Sequence, residues 1–486
     1  MGSKLAGIDY KNIFKYFEEI SDIPRGSGNM QAISDYLVGF AKQHGLEYIQ
    51  DDVLNVIMFK EATSGYENAP AVMIQGHMDM VCEKETWIEH DFLTQGIDLI
   101  VDGDYLKANG TTLGADDGIA VAYALAILSD NTIQHPRLEV VITTNEETGM
   151  DGAIGLDTTP FKAKYMLNID SEEEGVILCG CAGGLSGTST LKLEYENVAD
   201  TTTFLNIDVT GLQGGHSGTE IDKNRSNANI LIGRLLLQLS KDYSFSLVDI
   251  HGGNKHNAIP RDSFATIAVE RKDLQAIIDR INEIATTLKN ELSTSEPDVL
   301  IKVAHNEYPY SKVMTSELTR KIIFMLEAAP IGVQVMSSNI EGLVESSVNM
   351  GILKIENDTI EFHFSVRSSL NSYKHFVSEK LELLAQSIGA EYMMDGEYPA
   401  WEYRKDSKLR QLLIDLYKQE HGNEPIVVSI HAGLECGIIS EKLNEIDIVS
   451  IGPDMADIHT PKERLKISST KSLYDYILKV LESIKE

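Results

Sequence analysis

Residues 138–149 read Leu138-Glu139-Val140-Val141-Ile142-Thr143-Thr144-Asn145-Glu146-Glu147-Thr148-Gly149. The first six form a short, largely β-branched apolar run, the kind buried in a sheet covered on both faces. A pair of carboxylates follows immediately. Residues 165–169 (YMLNI) repeat the pattern and lead into Asp170, and residues 71–75 (AVMIQ) lead into Gly76, His77, Met78 and Asp79. Further strands are predicted over 54–59, 425–429 and 447–451. Helices are predicted over 10–21, 30–44 (stopped by Gly45), 118–128, 407–421 and 468–483. Strands alternating with helices predict an α/β fold with a mostly parallel sheet.

The pattern changes near residues 183–187. Residues 203–211 (TFLNIDVTG) alternate apolar and polar, as half-exposed antiparallel strands do. Strand 263–270 precedes a helix over 274–292, and strand 359–367 precedes a helix over 373–388, which suggests a duplicated strand-helix unit. The expected organisation is a catalytic domain from residues 1–186 and 401–486, with an α+β lid domain, 187–400, inserted into it.

The 486 residues suit two or three domains, and an apolar fraction of 43% suits ordinary globular cores. Seventy-four acidic against 42 basic residues leave a net charge of −32, which argues against nucleic acid or an anionic membrane as partner. Cys82, Cys179, Cys181 and Cys436 are too few and scattered for a disulfide framework. Residues 1–14 lack the basic-then-apolar pattern of a secretory signal, and no apolar run approaches the ~20 residues of a membrane span. A cytoplasmic location is expected.

Five segments carry candidate chemistry: His77 with Asp79, Asp116 with Asp117, Glu146 with Glu147, Asp170, and His459. Each is expected at the end of a strand of the α/β domain, where such sheets bind ligands. Residues two apart in an extended chain share a side, so His77 and Asp79 can face one locus. Two histidines with several carboxylates match the ligand set of zinc or a similar ion. Charge bookkeeping fits a pair of divalent ions: Asp116, Glu147, Asp170 and one hydroxide balance four positive charges. Each piece also has an ordinary reading. His-x-Asp is commonly a hydrogen-bonded pair, Asp-Asp before a helix an N-cap, and Glu-Glu a solvated face. Asp170 begins an acidic run, and His459 can be a plain loop residue. Their joint occurrence favours the metal.

The chain resembles the aminoacylase and carnosinase-like dizinc exopeptidases, and within them the Xaa-His dipeptidase branch. The resemblance runs over nearly the whole chain. It is carried by GHMDM (76–80), NGTTLGADDGIA (109–120), TTNEETGM (143–150), NIDSEEEG (168–175), GGHSG (214–218) and HAGLECG (431–437). It implies that His77 and Asp170 hold one metal, Glu147 and His459 the other, and that Asp116 bridges both, with a cis bond between Asp116 and Asp117. Asp79 would orient His77, and Glu146 would be the general base working on a hydroxide held between the metals. The metals would be zinc first, with manganese or cobalt accepted by the same ligands.

The resemblance also gives His216 as an oxyanion donor, delivered by domain closure or from a neighbouring subunit; the bare motif is equally a flexible turn. Arg367 is suited to grip the substrate carboxylate, or else is a strand-end residue in a surface ion pair. Asn257 and the backbone of Gly433 would be its companions, with His431 and Glu435 nearby. The implied activity is hydrolysis of dipeptides, Xaa-His dipeptides such as carnosine among them. The rivals are a tripeptidase, a broad dipeptidase or an N-acyl amino acid hydrolase. A non-catalytic binder has no need of Glu146. The insertion is roughly double what many members carry: either its second half mimics a partner's lid and delivers His216 within one chain, or the enzyme is a homodimer and the extra unit serves another purpose, with family habit favouring the homodimer.

Overall fold

The computed structural model describes residues 4–485. They form two compact units: one holds the described residues up to Gly180 together with Tyr403–Ser429 and the chain from Leu434 onward, the other Cys181–Glu402 and Ile430–Gly433. The last four residues, read from sequence as part of the catalytic portion, group with the second unit. Ala182 N–H donates to Ile430 O, and Ser347 Oγ meets His431 Nε2 at 2.7 Å.

In the first unit an eight-stranded sheet runs in the order Glu47–Gln50, Val56–Lys60, Leu138–Thr143, Val72–His77, Tyr165–Asn168, Asp447–Ser450, Val176–Cys181, Ile426–Ile430. Leu138–Thr143, Val72–His77, Tyr165–Asn168 and Asp447–Ser450 are mutually parallel. Val56–Lys60 joins them antiparallel and itself pairs antiparallel with Glu47–Gln50, and Val176–Cys181 joins antiparallel on the other side. The parallel part is thus confined to the centre, where the apolar runs lie; Leu138–Thr143 is buried at every residue.

Helix Ala115–Ser129 is apolar all round and buried from Asp117 to Leu128, so it forms the core rather than covering it. A separate four-stranded sheet pairs Met455–Ala456, Arg464–Lys466, Tyr105–Ala108 and Leu99–Asp102. It was not read from the sequence, because strands of two to four residues carry too little periodicity.

The second unit is built on a nine-stranded sheet, antiparallel at every pairing between its strands. Half of it has the order Leu300–Asn306, Thr202–Thr210, Ser263–Glu270, Ser246–Gly252. The other half has Glu391–Tyr398, Gly183–Lys192, Thr359–Ser368, Val344–Glu356, with the ninth strand, Gly332–Met336, also paired to Val344–Glu356; the halves meet where Ser246–Gly252 pairs Val344–Glu356. In each half a helix (Ala228–Leu239 or Ser316–Ala328) precedes three strands, then a long helix (Leu274–Glu291 or Asn371–Ile388), then an edge strand; in the first half the short middle strand, Ala258–Ile259, lies outside this sheet. The strand-helix echo in the sequence is part of this larger repeated order.

Each unit has its own core. Phe14, Ile33, Val72, Ile119, Leu125, Val140, Leu167 and Ile477 lie in one; Leu205, Ile232, Leu247, Ile267, Leu326, Phe362 and Val377 lie in the other. No disulfide joins the cysteines among the described residues, and no helix there is long and apolar enough to cross a membrane.

Candidate active site

His77 ends the central strand Val72–His77, and Asp170 lies just past the neighbouring Tyr165–Asn168. Beyond Leu138–Thr143 the chain turns through Asn145 (φ 53°) into a single helical turn, Glu146–Gly149. Asn145 Oδ1 accepts the Gly28 N–H at 2.9 Å, which fastens this turn to the Gly-rich loop near the N-terminus.

Two expected locations differ. Asp116 sits not at a strand end of the main sheet but at the start of Ala115–Ser129, where Asp116 and Asp117 keep non-helical dihedrals and share a cis peptide bond. His459 lies in the turn linking Met455–Ala456 to Arg464–Lys466, in the small sheet. The site is therefore assembled from the large sheet, a helix start and a hairpin.

Asp116 has a histidine on each oxygen. His77 Nε2 lies 3.2 Å from Oδ1, and His459 Nε2 lies 3.1 Å from Oδ2. Asp170 Oδ1 is 3.6 Å from His77 Nε2, and Glu147 Oε1 is 3.1 Å from His459 Nε2. His77, Asp116 and Asp170 form one group with ligand atoms close enough for a single ion; Asp116, Glu147 and His459 form a second. His77, Glu146 and Glu147 form a third such group.

Donor atoms about 2.0–2.1 Å from a tetrahedral zinc stand about 3.3 Å from one another. The 3.1–3.6 Å separations match that spacing. Electrostatics agree. Burial opposes a charge on His77, yet the carboxylates of Asp116, Asp170 and Asp79 hold its pKa well above 6.5. Asp116 and Glu147 lift His459 to about 10 against its partial burial. Burial raises Asp170 to about 6, with His77 pulling it down and Asp116 and Glu147 pushing it up. The carboxylates demand positive charge at both imidazoles, and the donor set fits a pair of divalent cations.

Asp79 Oδ1 lies 3.4 Å from His77 Nδ1, the nitrogen turned away from the cluster. Asp79 also accepts from Ser27 Oγ at 2.8 Å and from the Glu146 and Glu147 N–H groups at 3.1 and 3.4 Å. One carboxylate thus aims the histidine and holds the turn bearing both glutamates. Burial pushes the Glu146 carboxyl well above the usual range.

Sequence reading missed Arg25 and Glu463. Arg25 Nη1 donates to Met78 O at 2.9 Å, and Nη2 donates to Gly114 O. Arg25 stands just before Gly26-Ser27-Gly28, and nothing in the local sequence marks it as buried. Glu435 belongs to this unit, buried beneath the site; its Oε2 accepts from Gln75 Nε2 and Thr143 Oγ1, both at 2.6 Å.

The second unit holds a polar cluster of its own. His216 Nδ1 accepts the N–H groups of Gly218 and Thr219 at 3.3 and 3.2 Å, so the neutral ring carries its proton on Nε2. Burial and the nearby Arg367 guanidinium keep the ring neutral. Arg367 Nη1 donates to Tyr398 Oη at 2.9 Å. It is buried at the end of its strand, not an exposed residue in a surface ion pair, and its Nε has no hydrogen-bond partner. A Cβ on Gly218 would come within 2.5 Å of His431 O, 3.0 Å of His216 Cε1 and 3.2 Å of Arg367 Nε, so only glycine lets these groups converge. A Cβ on Gly433 would meet the Tyr398 ring at 2.6 Å. Asn257 is exposed, and its carbonyl accepts the Ser217 N–H at 2.9 Å. Tyr398, which touches both Arg367 and Gly433, has no motif to mark it in the sequence.

Imidazoles and carboxylates gathered around an α/β sheet, with a further carboxylate beside them, define the class as a metal-dependent hydrolase. The chain belongs to peptidase family M20/M25/M40, whose model matches residues 73–483. The cytosol non-specific dipeptidase of Escherichia coli (strain K12) is 37% identical over 485 residues, 99% of each chain. The crystal structure of aminoacylhistidine dipeptidase from Vibrio alginolyticus matches with a TM-score of 0.94 at 35% identity, covering 100% of this chain and 99% of that one. Aminopeptidase PepT from Bacillus cereus shares the fold at a TM-score of 0.57 and 15% identity, over 99% of this chain and 100% of that one.

Proposed function

We propose that this protein hydrolyses dipeptides, Xaa-His dipeptides such as β-alanyl-histidine foremost, using two divalent cations, zinc first. His77, Asp116 and Asp170 would hold one cation; Asp116, Glu147 and His459 would hold the other. The observation that carries this reading is Asp116, with one oxygen 3.2 Å from His77 and the other 3.1 Å from His459. When bound, the cations acidify water and polarise the scissile carbonyl.

The remaining work falls to the chain itself. Glu146 takes the proton of the attacking water on its carboxylate and returns it to the leaving nitrogen. Its burial favours the protonated form, which suits a group that must hold the proton between the two transfers. Asp79 keeps His77 oriented so that Nε2 stays directed to the cluster. On the second unit, the His216 Nε2–H is a donor for a developing oxyanion. The Arg367 guanidinium is a partner for the substrate's terminal carboxylate, with Asn257 and the Gly433 backbone as companions.

The 37% identical relative is named a non-specific dipeptidase, which favours a broader second reading. A panel of Xaa-His dipeptides, other dipeptides, tripeptides and N-acyl amino acids, assayed on the zinc, manganese and cobalt forms, decides. The expected result is kcat/KM for Xaa-His at least about tenfold above other dipeptides, with tripeptides and N-acyl substrates poor. A flat profile across dipeptides selects the broader reading. Absence of peptide hydrolysis with every metal would overturn both.

A further inference from the structure

Leu113, Gly114, Ala115 and Asp116 direct four successive backbone N–H groups at one carboxylate, that of Glu463. Oε2 accepts from Leu113 at 2.7 Å and Gly114 at 3.0 Å; Oε1 accepts from Ala115 at 2.7 Å and Asp116 at 3.4 Å. Glu463 is 2% exposed. The helix N-cap, Gly114, offers no side chain, so a residue some 350 positions away satisfies the N–H groups a helix start leaves unpaired. The same turn brings His459 to the other end of Asp116, at Oδ2. That turn is closed by Glu463 N–H to Thr460 O at 3.1 Å and Thr460 Oγ1 to Asp457 O at 2.7 Å. His459 itself sits at φ 59°, a conformation costly for a non-glycine residue and kept only where surrounding contacts enforce it. The 457–463 turn therefore grips Asp116 by its backbone through Glu463 and faces its side chain with His459.

We propose that Glu463 is a positioning residue: it fixes the carboxylate of Asp116 relative to His459 and thereby sets the second of the two cation positions. This deepens the two-cation reading above and rests on it. The group of His77, Asp116 and Asp170 has two members fixed by the large sheet, His77 at the end of one strand and Asp170 two residues past its neighbour. The group of Asp116, Glu147 and His459 has its geometry set across the Glu463 contact, so loss of that contact falls on the second cation more than the first.

The test is metal titration of metal-free full-length protein, native and E463Q, against a competing chelator, with folding checked by circular dichroism. Manganese-loaded samples are also examined by electron paramagnetic resonance. Native protein should take up two equivalents and show a coupled ion pair. E463Q should keep one tight equivalent, bind the second about 10–100-fold more weakly, and show isolated manganese at one equivalent. A cap with only a structural role would lower the melting temperature and leave both affinities unchanged. That result, or equal weakening of both sites, overturns the proposal. If E463Q does not fold, E463D, which keeps the charge but shortens the reach, is titrated with the same expectation. Native protein that binds fewer than two equivalents defeats the two-cation reading itself, an outcome distinct from any behaviour of the variant.

Discussion

Glu146 and Glu147 are chain neighbours that both reach the His77 end of the cluster, yet their partners differ. Glu147 meets His459, whereas Glu146 has no ion pair in the cluster and is pushed up by burial. Glu146→Gln should therefore cut kcat by about 10²–10⁴-fold, the usual worth of a positioned acid–base. Metal content by elemental analysis should stay at two equivalents. A variant that retains native turnover removes Glu146 from the chemistry.

The histidines make a second residue-level prediction. In the metal-free protein the pKa of His459 is raised from 6.5 to about 10, so the folded state binds its proton more tightly than the unfolded chain. That contribution to stability is fully present below pH 6.5 and is lost as pH rises through about 10. Cations bind neutral imidazole, so they compete with that proton. Metal uptake at pH 8 should release protons, seen as calorimetric enthalpies that vary with buffer ionisation heat, and affinity should climb with pH.

At the scale of elements, the strand Val72–His77 and the helix Ala115–Ser129 touch at Gly76. A Cβ there would lie 2.4 Å from both Asp117 Oδ2 and Ala120 Cβ. Asp117 Oδ2 also accepts the His77 N–H at 3.2 Å, so this contact sets the height of His77 against the helix start. Gly76→Ala should cost about 1–3 kcal/mol, the usual penalty for overpacking, read as a lower urea midpoint with an unchanged slope. It should also weaken metal binding, whereas Gly103→Ala, in open space on the small sheet's turn, should leave metal binding alone despite its positive φ.

For the whole molecule, every candidate ligand belongs to the first unit, and each unit has a separate core. Ions that bind only the folded state stabilise it by mass action, about 4 kcal/mol at a thousandfold excess over Kd. Chelation should therefore lower the melting of the first unit and leave the second unit's transition in place, as resolved by calorimetry. Equal melting with and without chelator would argue against tight metal binding. The expected homodimer is checked by light scattering on the same samples.

The sequence alone determined the strands that carry the chemistry. LEVVIT and its counterparts are mostly apolar because central parallel strands are covered on both faces, and that local composition is visible without any partner. It also determined the residues suited to bind cations, since imidazole and carboxylate chemistry is a property of the residue type. Only the tertiary structure decided how they meet. Asp116 acquires a histidine on each oxygen because a helix start and a distant hairpin converge on it. Arg25, Tyr398 and Glu463 gain their roles from contacts across long stretches of chain. Local periodicity records which face of an element is buried; it holds no information about which distant backbone N–H groups a buried carboxylate will find there.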